Sequence, residues 1–251
     1  MGKMYTKKCM GKTWQCLTGK GWAVCSDLLD ETNVLIAGCA GSGKSELIHS
    51  ILVSAAIRFA PCRGISQGAM LWLADPKRVE LSQWKALPHC YRYENTYSGI
   101  IGMLEELIKL MEDRYEDMEK RGIRKWDKER IYLVIDELGD MMTTNKKVFS
   151  AQLTKLMQLS RAAGIHVIAA TQSPSKLTIP ASAQINYSCS VGLRCKTAVE
   201  SRQVIGMAGC ENLPRYGTAY KSSPDGIEKI SVPMTDQCDI DRIIKHWTDQ
   251  M

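Results

Sequence analysis

The chain has 251 residues, of which 45% are hydrophobic and 24% are charged, and its formal net charge is +6 at pH 7. These values are ordinary for a globular domain, and no run of eighteen apolar residues predicts a membrane span. No apolar segment follows the amino-terminal lysines, so we expect no signal peptide. The positive charge permits an anionic partner such as nucleic acid without requiring one.

Residues 1–32 are rich in lysine and carry isolated aromatic residues, which predicts a short strand or hairpin arm. We place the main domain at residues 33–251. It opens with an apolar run at 33–37, typical of a buried strand. The next eight residues match the pattern G-x-x-x-x-G-K-[ST]: Gly38, Cys39, Ala40, Gly41, Ser42, Gly43, Lys44 and Ser45.

This pattern predicts a phosphate-binding P-loop, because its glycines let successive N–H groups face phosphate oxygens. Lys44 would reach the β- and γ-phosphates of ATP, and the Ser45 hydroxyl would hold Mg²⁺. Glu46 begins the helix predicted by residues 46–53, whose dipole adds to the anion site. A chance glycine-rich turn is disfavoured, because strand, loop and helix follow in the required order.

Two further elements precede the next motif. Residues 70–75 predict a buried strand that ends in Asp75, directly before Pro76. Asp75 would either face the nucleotide or form a turn, and the sequence favours neither. Apolar residues at helical spacing predict a long amphipathic helix over residues 98–121, closed by Gly122.

Residues 131–135 are uniformly apolar, which is typical of a strand buried on both faces of a parallel sheet. Asp136 and Glu137 follow at its carboxyl end, where open α/β sheets bind ligands, in the form of a Walker B motif. Asp136 would hold Mg²⁺ and Glu137 would act as general base toward water. The alternative is a helix-capping Asp-Glu pair.

A helix is predicted over residues 148–163, ended by Gly164, and a central strand over 165–172. Gln172 at its tip would contact the γ-phosphate or the attacking water, or make an ordinary strand-end hydrogen bond. Further along, the pattern predicts a strand at 187–193, a helix at 197–205, a hairpin turning at 224–226 and a last helix capped by Asp236. The whole predicts an α/β fold with a mostly parallel central sheet flanked by helices.

The ten cysteines show no C-x-x-C pair and no Cys/His cluster at zinc spacing. Without an export signal we expect reduced thiols in a cytoplasmic protein. We expect no metal at the close pairs Cys9/Cys16 and Cys189/Cys195.

Several segments together resemble the motor domain of FtsK/SpoIIIE-type DNA translocases, within the FtsK–HerA group of P-loop ATPases. The segments are VLIAGCAGSGKSELIHS (34–50), LADPKRVELS (73–82), IYLVIDELGDMM (131–142), LSRAAGIHVIAATQSP (159–174) and ESRQVIG (200–206). The resemblance implies a RecA-like P-loop core that assembles as a ring, usually a hexamer, around double-stranded DNA.

In that family a neighbouring subunit supplies an arginine finger. Arg202 is the first candidate here and Arg161 the second; Arg194 also matches a family arginine, and each could instead be a surface side chain. Gln172 matches the family's sensor glutamine. Asp75 and Lys77 match a segment near the nucleotide, in roles that the resemblance does not assign.

DNA contacts are expected on basic loops facing the centre of the ring. Lys146 and Lys147, in a stretch at 143–147, and Lys176 are candidates, although a solvated loop explains them nearly as well. The sequence also departs from the larger family members, because their membrane spans and winged-helix module have no room here. The resemblance therefore implies a minimal soluble motor.

Such a motor would act in DNA transfer, mobilisation, packaging or segregation, with relaxase or transfer proteins as conceivable partners. An alternative is a non-translocating adaptor that binds ATP within a mobile element's DNA-processing machinery. A small-molecule kinase shares the P-loop but is disfavoured, because the sequence shows no lid and no acceptor site.

Overall fold

The computed structural model describes residues 28–62, 68–144, 146–175 and 185–250, apart from the side chain of Thr143. Within them the strands are β1 (Asn33–Ala37), β2 (Ala69–Ala74), β3 (Cys90–Glu94), β4 (Arg130–Ile135), β5 (Ile165–Thr171), β6 (Cys189–Gly192), β7 (Thr218–Ser223) and β8 (Gly226–Ser231). They form a sheet in the order β3-β2-β4-β5-β1-β6-β7-β8. The first six strands of this order are parallel, and β7 and β8 continue it as an antiparallel hairpin. The predicted α/β class is confirmed.

The helices in the described residues are α1 (Lys44–Arg58), α2 (Tyr97–Arg121), α3 (Leu138–Thr144), α4 (Lys146–Leu159), α5 (Ala198–Ile205) and α6 (Gln237–Thr248). They cover both faces of the sheet, with α1 and α6 on one face and α2, α3 and α4 on the other. Strand β4 shows why its sequence is continuously apolar. Ile131, Leu133 and Ile135 pack toward α2 and α4, whereas Tyr132 and Val134 pack toward α1.

Local chemistry sets several helix ends where the sequence predicts them. The Thr96 hydroxyl accepts a hydrogen bond from Gly99 N (3.2 Å) at the start of α2, and Gly122 ends that helix with φ 64°. Asp236 caps α6 by accepting from Asp239 N (2.9 Å). Each such cap stabilises its helix by about 1 kcal/mol. The caps fix where the chain turns back toward the sheet.

One predicted helix is too long. Residues 148–163 were expected to be helical as far as Gly164, but α4 ends at Leu159. Two carbonyl groups beyond the end of α4 bond to distant groups. Ala162 O accepts from Trp126 N (2.8 Å), and Ala163 O accepts from the Arg114 guanidinium (2.6 Å). These bonds hold residues 160–164 as a turn that delivers the chain into β5.

Two elements are absent from the sequence prediction, the edge strand β3 and the seven-residue helix α3. Strand β3 is polar and only half-buried because it pairs with β2 alone. The predicted arm at residues 1–32 lies almost wholly outside the described residues. Of its last residues, Leu28 and Leu29 are fully buried in the core.

Candidate nucleotide-binding site

The sheet order brings the predicted site together at one edge. Strand β5 lies between β1 and β4, so the carboxyl ends of these three strands are neighbours. The P-loop follows β1, Gln172 follows β5, and Asp136 and Glu137 follow β4. Segments that are far apart in the chain therefore converge where open parallel sheets bind ligands.

The glycines of the P-loop are required by its backbone and its packing. Gly41 (φ 70°) and Gly43 (φ 96°) adopt the left-handed conformation that a side chain disfavours. Gly38 has no space for a side chain, because a Cβ there would lie 2.6 Å from Ser42 Oγ. The loop thus has the curled backbone that its sequence predicts.

Lys44 is buried beneath this loop, with 7% of its surface exposed. Its ammonium group donates to the carbonyl oxygens of Gly38 (2.8 Å) and Cys39 (3.3 Å). Burial lowers the pKa of Lys44, and the nearby carboxylates of Glu137 and Asp136 oppose that shift. A buried ammonium group whose bonded partners are neutral carbonyls is well placed to attract an anion.

The other P-loop positions are less distinctive. Ala40 is exposed, and Cys39 N donates to Arg194 O (2.8 Å), which ties the loop to the end of β6. The side chain of Glu46 accepts from Thr235 N (3.3 Å). It therefore anchors α1 to the segment that precedes α6, and its carboxylate has a structural partner.

Glu137 is held from three sides by hydrogen-bond donors, and only 5% of its side chain is exposed. The Lys77 ammonium group donates to Oε2 (3.0 Å), and Gly139 N donates to Oε1 (3.1 Å). The main-chain N–H of Gln172 reaches both oxygens, at 3.2 and 3.3 Å. Glu137 thus also caps the start of α3. The two roles predicted from the sequence, helix cap and general base, therefore fall on the same carboxylate.

Asp136 carries the strongest sign of a cation site. Burial, together with the carboxylates of Glu80, Asp75 and Glu137, raises the pKa of Asp136 to about 6. Burial is the larger cause of this shift, and a divalent cation would relieve the part that comes from the three neighbouring carboxylates.

The donor set fits Mg²⁺, which prefers oxygen ligands from one or two protein groups and completes its shell with phosphate and water. The Ser45 hydroxyl and the Asp136 carboxylate are such ligands. Within the described part of the chain, no cluster of three or more His, Cys, Asp or Glu side chains could hold a metal by itself. Nucleotide oxygens would therefore have to complete the site.

Asp75, for which the sequence left two interpretations open, has a structural role. Its carboxylate accepts from the main-chain N–H groups of Val79 (3.3 Å) and Leu81 (3.0 Å) and from the Tyr93 hydroxyl (3.2 Å). These bonds shape the turn after β2. That turn presents Lys77 to Glu137.

The first two candidate finger arginines, Arg202 and Arg161, are exposed and lie away from this cluster. Arg161 lines a cleft with Asp30, Arg130 and His166, at the amino-terminal edge of the parallel strands and so opposite the P-loop. Arg202 lies on the outer face of α5. Neither belongs to the cluster that this chain's own P-loop forms with Asp136 and Glu137.

The candidate DNA-binding lysines were expected on loops, and for two of them this is wrong. Helix α3 ends at Thr144 and α4 begins at Lys146, so Lys146 and Lys147 lie exposed in the first turn of a helix. They line a shallow groove with Ser150, Thr154 and Lys155. Lys176 lies outside the described residues.

Sequence reasoning missed two residues beside the P-loop. The guanidinium of Arg215 lies 3.0 Å from the position that a Cβ on Gly41 would take. His49, with smaller contributions from Ser45 and Lys44, holds the pKa of the Glu80 carboxyl below its ordinary value against the opposing effect of burial. No local pattern marks Arg215, whereas Glu80 lies within the 73–82 segment that carries the family resemblance.

The chain is similar in sequence and in fold to known proteins. The sequence profile of the FtsK/SpoIIIE family matches residues 16–133. DNA translocase FtsK of Brucella melitensis biotype 1 is 29% identical over 273 residues, covering 91% of this chain and 33% of the relative. DNA translocase FtsK of Caldanaerobacter subterraneus subsp. tengcongensis is 33% identical over 204 residues, covering 77% of this chain and 28% of the relative. Residues 16–133 carry an FtsK/SpoIIIE family domain.

The chain spans about a third of the length of the curated FtsK relatives that it matches. Among solved structures, the pCW3 conjugation coupling protein TcpA with ATPγS superposes with a TM-score of 0.74 at 19% identity, covering 88% of this chain and 66% of that one. This likeness confirms the P-loop ATPase fold. Across the described residues, no helix has both the length and the apolarity that a membrane crossing requires.

Proposed function

We propose that this chain is an ATP-hydrolysing motor that moves along double-stranded DNA in the cytoplasm as a homo-oligomeric ring, expected to be a hexamer. The observation that carries the proposal is the position of Glu137, held by Lys77 and Gln172 N at the edge that also carries Lys44 of the P-loop. A P-loop alone indicates phosphate binding, whereas a carboxylate fixed beside it indicates hydrolysis. The relatives named DNA translocase FtsK support DNA as the polymer along which this motor would move.

Each residue has a defined part in this mechanism. The P-loop amides and Lys44 would bind the triphosphate, and Ser45 and Asp136 would hold Mg²⁺. When bound, the ion would neutralise charge that develops on the phosphoryl oxygens. Glu137 would accept a proton from the attacking water, in the orientation that Lys77 gives it. Gln172 N–H keeps the carboxylate oriented meanwhile.

The placement of the arginines supports a site completed by a second copy. Arg161 and Arg202 are exposed and lie outside the P-loop cluster of their own chain, so either would act on a neighbour's nucleotide. Mixing Lys44→Ala subunits with Arg161→Ala or Arg202→Ala subunits tests this. At a mixed interface, the arginine variant contributes an intact P-loop and the Lys44→Ala subunit contributes an intact arginine. ATP hydrolysis should therefore return on mixing only for the arginine that acts on a neighbouring subunit.

A triplex-displacement assay tests the motor itself. The unaltered chain should displace a third strand from duplex DNA in an ATP-dependent manner, and Lys44→Ala and Glu137→Gln should not. Lys109→Ala, which removes an exposed lysine on α2, is the matched control and should behave as the unaltered chain. Hydrolysis without displacement would contradict translocation and favour the adaptor function.

Lys146 and Lys147 are proposed as contacts to the DNA backbone. Both are exposed at the first turn of α4, on the segment that follows Asp136 and Glu137 through α3. Such contacts bind phosphates without reading sequence, so they suit a motor that acts in DNA transfer, mobilisation, packaging or segregation.

A further inference from the structure

An exposed aromatic ring lies close to the P-loop, and the mechanism above does not use it. Among the aromatic side chains of the described residues, only those of Tyr91 and Tyr216 are exposed, at 60% and 59%. Tyr91 stacks on Trp72, with ring centroids 5.0 Å apart. Tyr216 lies two residues before β7, and its ring contacts the guanidinium group of Arg215 instead.

The sheet topology places Tyr216 at the edge that carries the P-loop. Strand β7 runs antiparallel to β6, and Tyr220 near the start of β7 pairs with Gly192 at the carboxyl end of β6. The residues just before β7 therefore lie at the same edge as the P-loop, which follows the neighbouring strand β1. Tyr91 is on β3, which β2, β4 and β5 separate from β1. Of the two exposed rings, only that of Tyr216 is thus near the predicted nucleotide.

Arg215 joins Tyr216 to the P-loop. Three atoms of its guanidinium group, Nη2, Nε and Cζ, lie 3.0, 3.6 and 3.8 Å from the position that a Cβ on Gly41 would take. The same Cζ lies 5.2 Å from the centroid of the Tyr216 ring, within the range of a cation–π contact. The chain is fixed on both sides of this pair, because Leu213 is buried and Gly217 O accepts a hydrogen bond from the first residue after β8 (3.1 Å).

We propose that the Tyr216 ring is the stacking surface for the base of the bound nucleoside triphosphate, with Arg215 holding the ring beside the P-loop. The inference rests on the proposed function, because it presupposes that the P-loop binds ATP. The base is joined to the triphosphate through ribose, so it must lie near the loop that holds the phosphates, where an exposed aromatic ring can stack on it. Space is available beside the ring, since a Cβ on Gly217 would meet no atom of the described residues within 4 Å.

The test is isothermal titration calorimetry of the full chain with ATPγS and with inorganic tripolyphosphate, which has no base, both in MgCl₂. Tyr216→Ala should weaken ATPγS binding about 10-fold and tripolyphosphate binding less than about 2-fold. Tyr216→Phe keeps the ring without the hydroxyl and should restore ATPγS affinity to within about 2-fold of the unaltered chain. Tyr91→Ala, which removes the other exposed tyrosine ring, is the matched control and should change neither affinity.

Two results would overturn the base contact. One is unchanged ATPγS affinity in Tyr216→Ala. The other is an equal loss of tripolyphosphate affinity, because Tyr216 would then act only by holding Arg215 toward the phosphates. Either result leaves the P-loop assignment in place, since the unaltered chain still binds both ligands. Failure of the unaltered chain to bind either ligand, or full retention of binding by Lys44→Ala, would contradict the proposed function itself, and the base contact with it.

Discussion

Lys77 Nζ lies 3.0 Å from Glu137 Oε2 and joins the turn after β2 to the end of β4. Burial opposes the charge of Lys77, but the hydrogen bond from Lys77 to Glu137 raises the pKa of the lysine overall. The carboxylate is almost fully buried, so it depends on this ammonium group and two main-chain N–H groups for its polar partners. The pair therefore both neutralises the proposed base and fixes its orientation.

Lys77→Met should slow ATP hydrolysis about 10-fold or more, because an unoriented Glu137 is a poorer base. It should also lower the free energy of unfolding by about 1–3 kcal/mol, since a buried carboxylate loses a charged partner. Steady-state hydrolysis and urea unfolding measure the two effects. In a Glu137→Gln background Lys77→Met should have no further effect on hydrolysis. An equal loss in both backgrounds would show that Lys77 acts elsewhere.

The sequence predicts those parts of the candidate site in which polar residues directly follow a buried strand. The P-loop, the buried β4 with Asp136 and Glu137 behind it, and Gln172 after β5 were each visible as a strand followed by polar residues. Their convergence follows from parallel strands having their carboxyl ends at one edge.

The sequence did not predict the features that depend on contacts between residues far apart in the chain. Gln172 contributes its main-chain N–H to Glu137, which no side-chain pattern reveals. Lys146 and Lys147 were predicted to lie in a loop because no local pattern in the sequence marks the start of α4 at Lys146. Beyond the end of α4, the carbonyls of residues 162 and 163 bond to distant groups, Trp126 N and Arg114, which no local pattern reveals.

His89 predicts a pH dependence of stability. Its Nε2 lies 2.8 Å from Phe59 O, and its ring meets Trp247 edge-on at 5.0 Å. Burial lowers the pKa of His89 to about 4 from 6.5. The folded state therefore binds this proton less readily than the unfolded state, so the stability is fully present above pH 6.5 and is lost as pH falls toward 4. The full loss is about 3 kcal/mol.

Urea unfolding at pH 7.5, 6 and 5 checks this expectation. His89→Gln retains a donor toward Phe59 O but cannot become charged, so its stability should fall less steeply over the same interval. Other groups, including Asp136, titrate equally in both proteins and cancel in the difference. Parallel pH curves for the two proteins would rule out His89 as the cause.

The buried Arg114–Glu129 pair predicts a large loss of stability away from the site. Arg114 is 2% exposed, donates to Glu129 Oε1 (2.6 Å) and Ala163 O (2.6 Å), and stacks against Trp126. Glu129→Ala should lower the free energy of unfolding by about 2–4 kcal/mol, because it leaves a buried guanidinium without its counter-charge. The matched control is Glu112→Ala, which breaks the exposed pair with Lys155 and should cost less than about 1 kcal/mol. Similar losses for the two variants in urea unfolding would contradict the argument.

Arg215 lies beside the P-loop, its Nη2 3.0 Å from where a Cβ on Gly41 would be. A guanidinium packed against Gly41 of the P-loop should contact the bound nucleotide, and a charge-assisted hydrogen bond is worth about 1.5–3 kcal/mol. Arg215→Ala should therefore weaken binding of a fluorescent ATPγS analogue about 10-fold. Because the contact is to phosphate, the loss should be the same with MgCl₂ and with EDTA. Arg124→Ala, an exposed arginine after α2, is the control and should leave affinity unchanged. Unchanged affinity in Arg215→Ala would show that the arginine only covers the loop.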